Sequence, residues 1–260
     1  MSSDFDHRRT EPPRRVPVDR ATLWGCGAIL LVVAGLFYWV FWPAYHDALR
    51  AARRMHSQSR FDQMRLALFN YHDVHGTFPP AYIPDENEKP MHSWRVLILP
   101  FVSEEALWEQ YDFDLPWNDP HNLEVSQNMP GIYSSPFSPE EAERGLTPYL
   151  AITGPETVLG ESEGRTIAEL GSDANHKFVM IQYYSQPVLW TEPVDITPDQ
   201  ILAEYFQIMD NLIDGISVMV IRGDNLFVPA DTPPEDLEAG FYVGDGRKLV
   251  QGDGRAKETQ

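Results

Sequence analysis

The chain has 260 residues, 43% of them hydrophobic, which is enough for a real core and too apolar for a disordered chain. Its formal charge is −19; the first sixty residues hold 9 basic and 5 acidic side chains, leaving 11 and 34, or −23, for residues 61–260. So acidic a body repels phosphate backbones and argues against nucleic acid as a partner, and the single Cys26 rules out an intramolecular disulfide.

The arginine-rich residues 1–20 read as a disordered tail. From Ala21 to Ala44 the sequence is ATLWGCGAILLVVAGLFYWVFWPA, with no Asp, Glu, Lys or Arg between Arg20 and Asp47. A helix of that length spans roughly 36 Å, enough for a hydrocarbon core of ~30 Å. Trp24 lies near one end, and Tyr38, Trp39, Trp42 and Tyr45 near the other, where interfacial aromatics sit. A cleaved signal peptide would have a shorter apolar region followed by small residues, so 21–44 is expected to be an uncleaved transmembrane helix. Arginines flank it on both sides, and charge alone leans only slightly toward an inside N-terminus.

The helical rhythm continues beyond the run. Tyr45, Leu49, Ala52 and Met55, then Phe61, Met64, Leu68 and Tyr71, recur at spacings of three and four. Pro43 can kink this helix; Gly76, with Pro79 and Pro80 behind it, ends it. The pattern predicts a helix over 45–75 whose buried stripe is the spine of a body over 45–245, with Arg60, Asp62 and Arg65 off the stripe at solvated positions. His72, Asp73 and His75 lie in its last turn. Two histidines at i,i+3 could share a zinc, but no spacing nominates a further ligand, and histidine at a helix C-terminus is favoured by the dipole; the expectation is a capped helix end.

Downstream, 93–102 (SWRVLILPFV) reads as a strand or short buried segment, and 103–114 as a short helix with Ser103 as N-cap. Residues 115–122 read as a turn-rich loop, and 129–150 as proline-punctuated and largely irregular. KFVMIQYY (177–184) is a strong strand, and 188–196 a candidate partner for it. Residues 196–212 read as a helix capped near Thr197 or Asp199, 216–229 as a hairpin turning over Arg222–Asn225, and 246–260 as a flexible tail. A long helix followed by strands mixed with loops gives an α+β fold with a mainly antiparallel sheet, not alternating β-α-β.

Several blocks carry a family resemblance. PAYHDALRAARR (43–54), RLALFNYHDVHGTFPPAY (65–82) and SWRVLILPFVSEEALWEQYDFDLPWNDPHN (93–122) are similar to stretches of a bacterial prepilin-like family of unknown function related to the type II secretion pseudopilin G; residues 145–182 and 188–196 match more loosely. The resemblance implies a pilin-like body, a long helix available for packing against other subunits, and a location outside the cytoplasm. The chain departs from the pattern in three places. VDRATLWGCGAIL stands where prepilins carry a Gly-Phe-Thr-Leu-x-Glu leader site. Leu212 and Arg222 occupy the His and Asp positions of the C-terminal His-x9-Asp-Gly signature, of which Gly223 is kept. Ser134–Ser135 stand where many members have cysteine. The expectation is therefore a protein not processed as a prepilin.

Asp112, Asp114, Asn118, Asp119 and Asn122 offer oxygen ligands of the kind calcium takes, and pseudopilin G relatives bind calcium. Asp112, Asp114 and Asp119 are the metal candidates, against the alternative that the segment is a network of Asx turns; Glu124 is one residue late for an EF-hand. No nucleophile elbow, HExxH, P-loop or GxGxxG is present, and His92, His121 and His176 are isolated in sequence, so no enzyme is expected. The expected function is a single-pass envelope protein of the inner membrane, acting in structure or assembly through contacts with itself or other envelope proteins, with no cofactor unless calcium. The alternative is a tethered extracytoplasmic binding domain for a small ligand or cation. Trp94, Trp108, Trp117 and Trp190 are expected in the core rather than on a ligand platform.

Overall fold

The computed structural model describes residues 20–171, 177–204, 215–229, 232–243, 249–252 and 255–258. The chain divides into two units, residues 1–51 and 52–260. Helix α1, Arg20–His75, runs through both, with Pro43 inside it and without a break.

In the first unit the side chains described begin at Leu30. Leu30, Leu31, Val32, Val33, Leu36, Phe37, Tyr38, Trp39, Val40, Phe41, Trp42 and Tyr45 are all exposed, Leu31 and Trp39 each at 76%. Consecutive residues on a helix point about 100° apart, so this run displays apolar groups on every face. Among the described residues no helix is long and apolar enough to cross a membrane.

The second unit opens with the rest of α1. Here Phe61, Met64, Ala67 and Leu68 are fully buried while Asp62, Gln63 and Leu66 are exposed, which is the later part of the stripe the sequence spacing predicts; of its earlier part, Tyr45, Ala52 and Met55 are exposed. Gly76, at φ +82°, takes the left-handed position after the last turn, and its N–H donates to the His72 carbonyl at 2.7 Å. Strands β1 (Tyr82–Pro84) and β2 (Pro90–Ser93) form a hairpin, followed by α2 (Trp94–Leu97) and a 3-10 turn over Leu99–Val102. The 93–102 segment is thus buried and helical, not a strand: Ser93 caps α2, its hydroxyl accepting from the Arg95 N–H. Ser103 does not cap the next helix. It sits at φ 63° closing the 3-10 turn, and Glu104 precedes α3 (Glu105–Gln110).

The turn-rich segment ends in α4 (Pro120–Ser126), and the proline-punctuated one carries a 3-10 turn at Gly131–Tyr133, then α5 (Pro139–Glu143), β3 (Leu146–Thr147) and β4 (Tyr149–Ala151). β5 (Phe178–Gln182) is central in a four-stranded antiparallel sheet of order β4-β5-β7-β8, with β7 at Gly215–Val220 and β8 at Leu226–Pro229. The hairpin register pairs Gly215 with Pro229 and Val218 with Leu226, enclosing the expected turn. Strand β6 (Val188–Leu189) pairs with β3, not with β5 as its sequence position suggests, because both edges of β5 are taken by β4 and β7. Helix α6 (Pro198–Ala203) starts at Thr197, whose side chain forms a capping box with Gln200; the remainder of that expected helix, including Leu212, lies outside the described residues. Helix α7 (Pro234–Glu238) follows, and β9 (Leu249–Gly252) pairs with β10 (Arg255–Glu258) inside the segment expected to be a flexible tail.

The four-stranded sheet is covered on both faces, which explains why β5 reads as an unbroken apolar run. Tyr149, Ala151, Met219 and Ile221 join one core, with Phe61, Met64 and Leu68 of α1; Leu150, Ile216, Val218 and Val220 join the other, with Ile201 of α6 and Leu237 of α7. A register shift between Phe178 and Met180 puts Val179 and Met180 together on the α1 side and returns Ile181 to the other. Helix α1 is also tied to the sheet by polar groups. Gln182 donates to Ser57 at 3.0 Å, and Asn225 donates to the Gln58 carbonyl and the Asp62 carboxylate. Arg65, expected in solvent, instead reaches the β7–β8 turn: Nη1 donates to the Gly223 carbonyl at 2.6 Å, the Val220 carbonyl at 3.3 Å and Asn225 Oδ1 at 3.2 Å, while Nη2 pairs with Asp62.

Candidate functional site

Two constellations of polar side chains stand out in the body. The first is a cleft of about 600 Å³ between α3 and α4, lined by residues that include Glu109, Tyr111, Asp112, Phe113, His121 and Glu124. The loop that contributes Asp112 to it is held by one side chain. Asn122 is fully buried, accepts from the Asp112 N–H at 3.0 Å, and donates to the carbonyls of Asp112, Leu115 and Pro116 at 2.9, 2.9 and 3.1 Å. A loop with no strand or helix to satisfy its backbone is organised here by a single amide.

The three calcium candidates are placed by the same loop. The Asp112 carboxylate accepts from the Asp114 N–H at 2.8 Å, an Asx turn, and Asp112 lines the cleft. Asp119 is the N-cap of α4, its carboxylate accepting from the His121 N–H at 2.9 Å with Pro120 at the first helical position. Asp114 is exposed, and neither it nor Asp119 lines the cleft. Among the described residues no three His, Cys, Asp or Glu side chains are grouped so as to hold a metal ion.

Behind the cleft wall lies His92 on β2, almost fully buried. Its Nε2 is 3.0 Å from the Phe113 carbonyl and its Nδ1 is 3.0 Å from the Tyr111 hydroxyl. A carbonyl can only accept, so Nε2 carries the proton and Nδ1 accepts from the phenol. Burial pushes the His92 pKa down, against the raising effects of the Phe113 carbonyl and the Asp112 charge, and burial pushes the Tyr111 hydroxyl up. His121, at the rim, lies with Nε2 2.9 Å from the Gln110 carbonyl and donates to it, joining α4 to α3.

The histidines at the end of α1 do not converge. His72 Nε2 accepts from the Ile167 N–H at 3.4 Å, with its ring tilted against Phe78, while His75 stacks on Tyr71 with ring centroids 4.1 Å apart. His176 lies outside the described residues.

The second constellation is a buried ion pair. Asp195, with its side chain 5% exposed, accepts from Arg95 Nη2 at 2.7 Å, the Ala151 N–H at 2.7 Å and Trp94 Nε1 at 3.2 Å. Arg95, fully buried, also donates to Ser93, and to the Tyr149 carbonyl at 2.8 Å from Nη2. Tyr133 donates to the Arg95 carbonyl at 2.7 Å. Burial pushes the Asp195 carboxyl up and the guanidinium draws it back; every group facing it is a donor, so the carboxylate is the form this cage fits. These contacts join β2, α2, β4 and the segment before α6. With side chains 0% and 5% exposed, the pair is buried and holds the fold. Trp94 and Trp190 are core residues, Trp190 Nε1 donating to the Ser126 carbonyl at 2.7 Å; Trp108 and Trp117 are half-buried.

Both His92 and Asp195 escaped the sequence reading. A signal was present for the second: an arginine inside the apolar run SWRVLILPFV must be paired if that run is buried.

Residues 47–236 match a family described as a protein of unknown function, DUF1559, and the chain belongs to that family. No curated protein and no solved structure matches it.

Proposed function

We propose that this member of the family is a membrane-anchored, pseudopilin-like protein of the cell envelope. The first part of α1 spans the inner membrane, the pilin-like body lies outside the cytoplasm, and the protein serves structure or assembly through contacts with itself or other envelope proteins. The observation that carries this is the run from Leu30 to Tyr45, where large apolar side chains are exposed on every face of one helix. In water a contiguous apolar surface of that extent is an aggregation hazard, whereas a bilayer is the solvent that fits it. The antiparallel sheet packed on the second part of α1 supports the pilin-like reading, and the leader departure VDRATLWGCGAIL supports a helix that is not processed as a prepilin. No catalytic role is part of this reading.

Alkaline carbonate extraction of native membranes, with intact-mass measurement, tests it. The expected result is retention in the membrane at the unprocessed mass. Release into the soluble fraction overturns the anchor, and a mass lacking the first ~20–45 residues overturns the unprocessed helix.

A second reading, a tethered binding domain for a small ligand or cation, is favoured by the α3–α4 cleft, whose volume falls in the range of small-molecule sites and whose rim carries Glu109, Asp112 and Glu124.

A further inference from the structure

The cleft wall has an unusual support. Tyr111 and Phe113 both line the cleft, and both are held from behind by the two nitrogens of one buried imidazole on a different element, β2. The contact with Tyr111, as it stands, fits only the neutral ring. With Nε2 donating to the Phe113 carbonyl, Nδ1 must be bare to accept the Tyr111 proton. A second proton on the ring makes Nδ1 a donor facing a donor. The phenol must turn its own hydrogen away, into surroundings where Tyr111 is only 4% exposed, and a charge is left on a ring that is itself 2% exposed.

We propose that His92 is a proton-operated latch on the α3–α4 cleft: neutral, it ties both Tyr111 and Phe113 to β2, and protonated, it keeps its bond to the Phe113 carbonyl but loses the one from the Tyr111 hydroxyl, and the loop from 111 to 119 opens to bring the charged ring to water. This holds whether or not the cleft takes a ligand. The charged group acting on the ring is Asp112, in the loop itself, and it favours the protonated form once that form is reached. From β1 the residue paired with His92 is the apolar Ile83, and the neighbouring Met91 carbonyl accepts from the Trp117 N–H at 3.2 Å, a tether that does not titrate. Burial disfavours the charged ring while the loop is closed and not once it is open, so acidification favours opening.

The test is amide hydrogen exchange on the full chain in detergent micelles, from about pH 7.5 to about pH 5, with rates corrected for their intrinsic pH dependence. Exchange over 111–119 should rise about tenfold for each pH unit below about 6.5, until the closed-state pKa is passed, while β5 and β7 do not change. In His92→Gln the response should vanish. In Tyr111→Phe, which keeps the ring and loses one tether, the loop should be more open already at neutral pH and still respond to acid. As a measure independent of the His92 variant's folding, the NMR titration of the His92 ring should share its midpoint with the exchange transition. A flat profile in the native protein, an undiminished response in His92→Gln, or separated midpoints would each overturn the latch.

Discussion

One helix carries two kinds of surface. Between Leu30 and Tyr45 the apolar side chains of α1 are exposed all round, while between Ser57 and Leu68 Phe61, Met64, Ala67 and Leu68 form a buried stripe and Leu66 stays exposed. Both stretches are helical. What differs is the spacing of apolar residues: continuous in the first, every third or fourth position in the second. The contrast teaches that the sequence pattern reports the solvent of each helix segment. A periodic stripe fits protein on one side and water on the other, and a continuous run fits the single apolar medium proposed above.

Breaking the stripe should have the largest effect. Leu68→Asp removes a fully buried side chain and puts an unpaired carboxylate in its place; truncation alone costs about 2–5 kcal/mol, against a domain stability of about 5–15 kcal/mol. The body should unfold or lose most of its cooperative transition, as read by thermal melting of the full chain in detergent. A melting temperature within a degree or two of the parent would mean that the stripe faces another subunit and not the core.

Next in size is Asp195→Ala, which leaves Arg95 buried without its partner. Loss of one member of a buried pair costs about 3–5 kcal/mol, so denaturant unfolding should shift far toward lower concentration. A shift like that of an ordinary surface substitution would show that water reaches the guanidinium.

Arg65→Ala tests how far polar anchoring supplements the stripe. The side chain is about one-fifth exposed, at 20%, and loses its bonds to the β7–β8 turn, so about 1–2 kcal/mol is expected. No change would return Arg65 to the solvated role that its off-stripe position implies.

The acid response is smaller. The His92 pKa is lowered in the folded protein, so the neutral ring contributes stability that is complete above the ordinary value of about 6.5 and declines as the pH falls below it toward the folded value. Denaturant unfolding of the native protein should therefore weaken between about pH 7 and about pH 5, and His92→Gln should lack that component.

The sequence carries the buried stripe, the Gly76 stop, the Thr197 cap and the β7–β8 hairpin legibly, because each is local: period, glycine, hydroxyl and turn residues act within a few positions. The misreadings share another cause. Residues 94–102 form helical turns despite a strand-like composition, because Ser93 caps them and Arg95 must reach Asp195, a hundred residues on. Strand β6 pairs with β3 because β5 has no free edge, a fact about other strands. Of the cleft, the acidic loop was visible and its role was not. Asp119 as a helix cap and Asn122 as the organiser of four bonds depend on where α4 begins, and His92 depends on a contact to residues 111 and 113 that no sequence spacing shows.

The most direct test of the central claim compares the two stretches of α1 in one experiment. In a Cys26→Ser background, single cysteines from 30 to 45 and from 57 to 68 would carry nitroxide labels in reconstituted vesicles, with collisional access to lipid-soluble oxygen and a water-soluble nickel chelate measured at each. The account predicts oxygen access at every position between 30 and 42, without helical periodicity, and protection repeating every ~3.6 residues between 57 and 68. Nickel access throughout 30–42, or a protected face recurring there every ~3.6 residues, would contradict it and place that stretch in water or against protein.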